Sequence, residues 1–314
     1  MHMMMSSLSE QTKDRIAVGM LFISPACFCT NMLLARAMAG IFPPVSMAVA
    51  RWLFVALLIG IWCAPAIWQY RRQLRDEWLS LAVLGGLGMG LCGAPIYLAG
   101  TMTTATNIGL IYTACPILVL VISFFIGEKQ MGAVQIAGIC AGCIGVITIL
   151  VEGSFSHLVS LSFNHGDLLV GMGTIAFAFY SVGLGYVKTG LPPLVRFGAM
   201  AFFGAMWHMP FLVYEAGIQQ QIVSPSWMIG GVVILLVFVS SLGAYLSYGL
   251  IVSRLGAGRA AIVLYISPLY NMIFAILLLS ETVQLYQAIG TALILGGLYA
   301  SQQAVAATVT GRTG

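Results

Sequence analysis

Arg51 is the one charged residue in the long apolar run 44–66, and this position limits what its guanidinium can do. A guanidinium surrounded by hydrocarbon costs about 2.5 kcal/mol or more, so it must reach an interface, pair with a neighbour or face water. Reaching the interface along its own aliphatic stem is the structural alternative. The functional alternative is that Arg51, together with Asn31, supplies positive potential for the carboxylate of a ligand.

Other polar and aromatic side chains fall near the middle of apolar runs. They are Asn31, Tyr112, Tyr180, Ser181, Ser240, Ser241, Tyr245, Tyr265 and Asn271. A polar group that faces lipid has no partner, so these groups are expected to turn inward, either to bond a neighbouring helix or to line a wet pathway. Aromatic walls suit an aromatic or amphipathic ligand, although core packing alone also explains them. With Arg51, this set forms the candidate lining of a ligand cavity.

Groups that could carry protons through the apolar runs are few. His208, beside Trp207, is the one histidine in the middle of a run, and it either titrates or has a satisfied packing role. The nine carboxylates all fall at the ends of runs or between them: Glu10, Asp14, Asp76, Glu77, Glu128, Glu152, Asp167, Glu215 and Glu281. Since proton relays use carboxylates within the membrane, any coupling to protons must use a less obvious group.

Patterns typical of catalysis and metal binding are not found in the sequence. The four histidines are scattered, at His2, His157, His165 and His208, and none belongs to an H-E-x-x-H motif. Cys140 and Cys143 form a C-x-x-C inside an apolar run, where cysteines behave as small apolar residues. The sequence therefore predicts no enzyme, no metal site and no cofactor.

The elements that must position these groups are apolar helices. Hydrophobic residues make up 60% of the 314 residues and charged residues 7%, and the mean hydropathy is +1.01, which leaves too little polar surface for a water-soluble globule. A bilayer core of about 30 Å needs about 20 apolar residues per crossing helix. Runs near that length lie at 16–37, 44–66, 79–99, 105–126, 131–151, 167–187, 194–214, 229–252, 257–279 and 283–303. The sequence predicts an all-α membrane protein of ten transmembrane helices, in contact with lipid and not with nucleic acid.

The basic residues alternate between the two sides of these helices. If the N-terminus is cytoplasmic, the inner segments collect Lys13, Arg15, Arg71, Arg72, Arg75, Lys129, Lys188, Arg196, Arg254, Arg259 and Arg312. The outer ends then hold only Arg36. This bias orients helices during insertion, so both termini are predicted to be cytoplasmic and the membrane is predicted to be the inner one.

The two halves of the chain share an ordered set of residues. The segment Ile111–Pro116 recurs as Leu264–Pro268, and a glutamate, Glu128 or Glu281, follows the proline after 12 or 13 residues. Gly138 and Gly145 recur 152 positions later as Gly290 and Gly297. Because each half holds five runs, an odd number, the second copy must enter the membrane from the opposite side. Inverted repeats are typical of alternating access around a site near the midplane.

This repeat sets the predicted domain boundaries. They are a cytoplasmic head at 1–15, a first repeat at 16–151, a connecting loop at 152–166, a second repeat at 167–303 and a tail at 304–314. Pro116 and Pro268 lie near the centres of equivalent runs, where a missing backbone donor weakens a helix. They are predicted either to act as a pair of hinges or to form static kinks.

The repeated aromatic, proline, glutamate and glycine residues, in a plan of five runs plus five, resemble the drug/metabolite transporter superfamily in its ten-span EamA-type branch. The resemblance covers nearly the whole chain. It implies a secondary transporter, often an exporter of amino acids or related metabolites, as in YddG-like aromatic amino-acid exporters. A drug or cation efflux carrier and a facilitative channel remain alternatives. Gly138 and Gly142 form a G-x-x-x-G, for which packing within one chain is favoured over a dimer face, so a monomer is expected.

Overall fold

The computed structural model describes residues 10–126, 133–154, 164–187, 189–219 and 223–310. Within these ranges the regular structure is helical, and no strand occurs. The α-helices are α1 (Glu10–Ala37), α2 (Pro44–Trp62), α3 (Ala64–Gln69), α4 (Arg71–Asp76), α5 (Trp78–Gly85), α6 (Ala94–Ala99), α7 (Ala105–Tyr112), α8 (Cys115–Phe125), α9 (Ala133–Leu150), α10 (His165–Tyr186), α11 (Pro193–Val213), α12 (Trp227–Ile234), α13 (Ala244–Leu279) and α14 (Leu285–Thr310). Three π-helical segments, Gly86–Gly90, Tyr214–Ile218 and Leu235–Gly243, continue α5, α11 and α12.

Six helical stretches of the described chain are long and apolar enough to cross a membrane. They are Arg15–Ala37, Pro44–Trp62, Trp78–Ala99, His165–Tyr186, Pro193–Ile218 and Trp227–Tyr248. Four further helical stretches are also apolar but shorter: Ala105–Val119, Ile136–Leu150, Leu269–Leu279 and Leu285–Gly297. Each of these stretches overlaps one predicted run. The count of ten spans stays a prediction.

Apolar side chains cover the outside of the bundle, and several polar side chains are buried inside it. Trp62 is 80% exposed and Val213 is 72% exposed, whereas Asp167 has no exposed surface. In water this distribution would leave apolar surface exposed and polar groups desolvated. It suits a protein whose outer surface contacts lipid, where buried polar groups bond one another.

Helices from the two halves pack against each other in opposite directions. Glu215, after α11, contacts Val45 at the start of α2, while Phe197, near the start of α11, contacts Trp52 further along α2. α2 and α11 both begin with a proline that follows a second proline, which suits the first turn of a helix because proline lacks the N–H that would be unpaired there. The prolines therefore fix where these two antiparallel helices start.

α1 packs against α13 along two separate parts of that helix. The ring of Phe28 lies 6.3 Å from that of Tyr248, while the thiol of the next residue, Cys29, donates to the carbonyl oxygen of Ser267 at 3.1 Å. Residues 19 apart in a straight helix would be separated by about 28 Å. The chain therefore folds back within α13, between Tyr248 and Ser267, so that both parts contact α1.

The two prolines of the repeat differ in their backbone. The helix is interrupted at Thr113 and Ala114, and Pro116 lies in the first turn of α8. α13 in contrast continues through Pro268, whose side chain lies outside the described set. The helix is interrupted beside Pro116 and is continuous at Pro268. A hinge function for either proline stays a prediction.

Candidate functional site

Arg51 lies at the centre of a buried polar cluster. Its side chain is 4% exposed. Nε donates to Ser241 Oγ at 2.7 Å, one terminal nitrogen donates to Asn31 Oδ1 at 2.5 Å and to Tyr97 Oη at 3.1 Å, and the other donates to the Ser240 carbonyl oxygen at 3.2 Å. These five residues come from α1, α2, α6 and the π-helical segment Leu235–Gly243, so the cluster joins elements of both halves of the chain.

The structure shows that Arg51 does not extend to an interface, so the structural alternative is wrong. The guanidinium instead bonds Asn31, and every other partner is also uncharged. That its charge serves a ligand carboxylate stays a prediction. No carboxylate of the described residues lies within ion-pairing distance of it. Burying an unpaired cation costs several kcal/mol even after relaxation. Such a group is expected where its charge serves a ligand.

The neutral partners of Arg51 are held in place by further hydrogen bonds. Ser241 Oγ donates to the carbonyl oxygen of Leu236 at 2.8 Å, which leaves its lone pairs for Arg51. Tyr97 Oη donates to Asn31 Oδ1 at 2.9 Å and therefore accepts from the arginine. π-helical segments displace groups from the regular helix pattern and are frequent at functional sites. The segment carrying Ser240 and Ser241 here presents both residues to Arg51.

Aromatic rings lie directly beside this polar cluster. The Arg51 guanidinium stands 4.3 Å from the centre of the Trp52 ring, a cation–π contact. Phe197 and Tyr245 stack with ring centres 4.7 Å apart, and Trp52 meets their edges at 6.4 and 6.5 Å. Phe28 adds a fourth ring, 6.1 Å from Tyr245. We call Phe28, Trp52, Phe197 and Tyr245 the aromatic box.

Tyr112, Tyr180 and Ser181 of the predicted lining gather around Phe177. Tyr112 and Tyr180 both contact the ring of Phe177, at 6.4 and 5.5 Å between centres. The Ser181 hydroxyl donates to the carbonyl oxygen of Phe177 at 2.7 Å, a bond within α10. Tyr180 and Phe177 pack in the same core as Trp52, Phe197 and Tyr245. The structure thus brings together Asn31, Arg51, Ser240 and Tyr245 of the predicted lining, with Tyr180 in the adjoining core.

Asn271 bonds the backbone at the start of α7. Its Nδ2 donates to the carbonyl oxygen of Ala105 at 2.6 Å, at the first turn of that helix. Glu281 caps the same turn: its carboxylate accepts from the Ala105 and Thr106 amides at 2.7 and 3.0 Å and from the Thr106 hydroxyl at 2.7 Å. A place for Asn271 in the ligand cavity stays a prediction. The side chain of Tyr265 and all of Glu128 lie outside the described residues.

Two other carboxylates are buried and committed to hydrogen bonds. Glu215 accepts from the Val45 amide and from the amide and hydroxyl of Ser46, each at 2.8 Å. Asp167 accepts from the hydroxyl of Thr103 and the side-chain amide of Asn107. The described carboxylates do lie at the ends of runs, as predicted. Asp167, Glu215 and Glu281 bond helix starts or neighbouring polar groups, and the first two are enclosed by protein.

Removing the Glu281 cap is expected to destabilise the fold. In Glu281→Ala the Ala105 and Thr106 amides lose their charged acceptor, and one bond to a charged group contributes about 1.5 to 3 kcal/mol. We expect a lower melting temperature of the purified protein in detergent. Asp76→Ala removes a carboxylate that is solvent-exposed and makes a matched control with an unchanged melting temperature. Equal shifts for the two variants would contradict the capping role.

His208 packs against the π-helical segment Gly86–Gly90, which continues α5. Its Nε2 lies 3.3 Å from the carbonyl oxygen of Met89, and the ring fills the space above Gly93. It also lines, with Phe42, Glu215 and others, a cavity of about 780 Å³ between the α1–α2 connection, α6 and α11. This contact is in keeping with a packing role. A proton-linked role for His208 stays a prediction.

Sequence reasoning included Tyr245 of the aromatic box but missed Tyr97, Trp52, Phe28 and Phe197. Tyr97 stands in the last turns of an apolar run, away from its middle, and was not counted as a midplane group. Trp52 directly follows Arg51, and this adjacency was the available signal, because an aromatic ring beside an unpaired cation can stabilise it. Phe28 and Phe197 carry no local signal, since their neighbours in the box come from other helices.

Comparison with known proteins gives a consistent result. The sequence model described as "EamA-like transporter family" matches the chain twice, over residues 15–151 and 164–301. The chain is 28% identical over 266 residues to "Uncharacterized transporter YyaM" of Bacillus subtilis (strain 168), covering 84% of this chain and 86% of that protein. It is 25% identical over 264 residues to an "Uncharacterized transporter" of Archaeoglobus fulgidus, covering 82% and 86%. A protein of known crystal structure matches its fold with a TM-score of 0.59 at 20% identity, over 91% of this chain and 96% of the other.

Proposed function

The chain belongs to the EamA-like transporter family, and we propose that it carries amino acids or related small amphipathic metabolites across the cytoplasmic membrane by alternating access. It is a multi-pass membrane protein whose matched relatives are transporters, and no catalytic activity is indicated. The binding site of the proposal is the Arg51 cluster with the aromatic box. The ligand would be a small molecule that is exported, with both termini of the chain in the cytoplasm.

The buried charge of Arg51 is the observation that carries this proposal. A positive group held by four neutral hydrogen bonds, beside stacked rings, can bind a ligand with an anionic and an apolar part. Charge-assisted bonds from a guanidinium to a carboxylate are short and roughly twice as strong as neutral ones. An amphipathic metabolite would therefore gain from both parts of the site.

Contacts between the halves support the inverted repeat that alternating access requires. Gly145 of α9 packs against the backbone of Gly290 on α14, and Gly297 of α14 packs against that of Gly138 on α9. Gly138 and Gly145 correspond to Gly290 and Gly297, 152 positions later. Exchanging the two halves therefore converts the Gly145–Gly290 contact into the Gly297–Gly138 contact. The two ranges matched by the family model also coincide closely with the proposed repeats at 16–151 and 167–303. Such a pair of related halves can open to either face in turn.

A carrier of cationic drugs is less well supported than a carrier of carboxylates. Cation binding within a membrane calls for an uncommitted acidic group. Among the described residues, the buried carboxylates Asp167 and Glu215 each accept from several protein donors. The same holds for Glu281. An incoming cation would have to displace these donors.

Counter-transport in proteoliposomes tests the proposal. Purified protein is reconstituted, loaded with an unlabelled amino acid or organic acid, and supplied with the labelled solute outside. A carrier gives saturable uptake that is stimulated by solute on the opposite side. Uptake that rises linearly with solute concentration and is not stimulated by solute on the opposite side would indicate a channel. No exchange of any solute, over amino acids, organic acids and cationic drugs, would overturn the transporter assignment.

A further inference from the structure

The guanidinium of Arg51 has a hydrogen-bond donor to spare. A guanidinium carries five N–H groups in a fixed fork. Four of them are used in the bonds to Ser241, Asn31, Tyr97 and the Ser240 carbonyl. The remaining N–H belongs to the terminal nitrogen that bonds only the Ser240 carbonyl. A ligand oxygen at that place would complete the coordination of the buried charge.

Two more buried donors beside Arg51 have no protein partner. The Ser240 hydroxyl and the Trp52 indole nitrogen make no hydrogen bond to any described residue, and each of the two residues is only 1% exposed. Ser240 already contacts Arg51 through its carbonyl, and the Trp52 ring lies against the guanidinium. Buried polar groups without a partner are rare in native proteins and call for an explanation. Here the three unused donors belong to Arg51 and to two residues that each contact it, and a carboxylate needs such a set of donors.

The site offers no anionic partner to a positively charged group. Every hydrogen-bond acceptor that contacts Arg51 is neutral, and those acceptors already take bonds from it. The buried carboxylates of the described chain hold helix starts or other polar groups elsewhere. An ammonium group placed near Arg51 would therefore be desolvated beside a like charge, which is strongly unfavourable.

The aromatic box determines which apolar group the ligand can carry. Phe197 and Tyr245 stack on each other, and Trp52 joins them to the arginine. A flat or bulky apolar body packed against these rings keeps its carboxylate within reach of Arg51. Such a body also gains offset or edge contacts with the rings themselves.

Resting on the transport function proposed above, we infer that this site selects a monocarboxylate with an aromatic or bulky apolar body and provides no subsite for an α-ammonium. The carboxylate bonds the spare N–H of Arg51, the Ser240 hydroxyl and the Trp52 indole. An aryl-substituted carboxylic acid is accordingly a better substrate than the amino acid of the same shape, and the corresponding amine is not a substrate.

Three solutes of one shape test this selectivity by counter-transport. They are 3-phenylpropionate, L-phenylalanine and phenethylamine, which share a phenyl ring on a two-carbon chain and differ in the charged groups they carry. We expect 3-phenylpropionate to show a KM at least about tenfold lower than L-phenylalanine, because the ammonium is left unpaired. We expect no saturable exchange of phenethylamine. If L-phenylalanine is exchanged as well as or better than 3-phenylpropionate, the inference is overturned while the transporter function stands. If no solute of any class is exchanged, both fail.

Two substitutions separate a ligand site from an interior filled by water. Ser240→Ala removes one unused donor with little change in side-chain size, and Trp52→Phe removes the other while it keeps an aromatic ring at the position. Each is expected to raise the KM for 3-phenylpropionate about three- to tenfold, with unchanged yield and elution profile of the purified protein. Thr148→Val is the matched control, since the Thr148 hydroxyl bonds the Ile144 carbonyl at the outside of α9. An unchanged KM in both variants would show that water alone occupies these donors and would overturn the assignment.

Discussion

Replacing Arg51 with methionine is expected to abolish transport and to leave the folded protein at least as stable as the parent. The substitution removes the desolvation cost of a buried charge that has no counterion in the described chain. Its neighbours keep other bonds, because Ser241 still donates to Leu236 and Tyr97 still donates to Asn31. A flexible methionine side chain can fill the space of the arginine stem. Stability is therefore maintained while the charge that binds the ligand is lost.

The expected loss of transport is large. Removing the guanidinium takes away the charge-assisted bonds to a carboxylate, and a loss of about 3 kcal/mol lowers the rate at limiting substrate about 100-fold. The measurements are the exchange rate in proteoliposomes and the melting temperature in detergent, made on the same preparation. A fall in both quantities together would mean that Arg51 is structural and would count against the site.

Arg196→Met provides a control with the opposite expectation. Arg196 donates to the carbonyl oxygens of Leu184 and Val187 at 3.4 and 3.1 Å, and it thereby caps the end of α10. Its loss leaves carbonyl groups without a partner and is expected to lower the melting temperature. Transport per folded molecule should be retained. The two arginine variants thus separate a charge kept for function from one kept for the fold.

The helices could be predicted from the sequence. Long apolar runs predict helices by length alone. The sequence also indicated that Asn31 and Arg51 turn inward near one site, and the structure places them in one cluster, but the direct bond between them was not predicted. Tyr97 could not be found in this way. It completes the cluster from α6, and its partners lie 46 and 66 residues away along the chain.

Contacts between distant parts of the chain could not be predicted from the sequence. Asn271 bonds the carbonyl oxygen of Ala105, 166 residues away. The Glu281 cap has partners 175 and 176 residues away, so no local pattern reveals it. The position of a residue within its own run does not identify such partners, because they lie on other helices.

Substituting Gly297 with leucine is expected to prevent stable packing of α14 on α9. A Cβ at Gly297 would overlap the carbonyl oxygen of Gly138 and would lie 2.9 Å from the amide nitrogen of Gly142. Backbone atoms cannot turn aside as the end of a flexible side chain can, so overpacking here costs about 3 kcal/mol or more. We expect a several-fold lower yield of monodisperse protein and a lower melting temperature. Gly296→Leu is the matched control, because a Cβ there has nothing within 4 Å.

The same crossing also tests the inverted repeat. A Cβ at Gly145 would lie 2.6 Å from the carbonyl oxygen of Gly290. Exchanging the two halves of the chain converts this contact into the contact between Gly297 and Gly138. If α9 and α14 are equivalent members of two inverted repeats, Gly145→Leu must lower yield and melting temperature about as much as Gly297→Leu. A tolerated Gly145→Leu beside a disruptive Gly297→Leu would mean that the helices cross without this symmetry. Because alternating access depends on two interchangeable halves, that result would also remove the structural support for the transport mechanism.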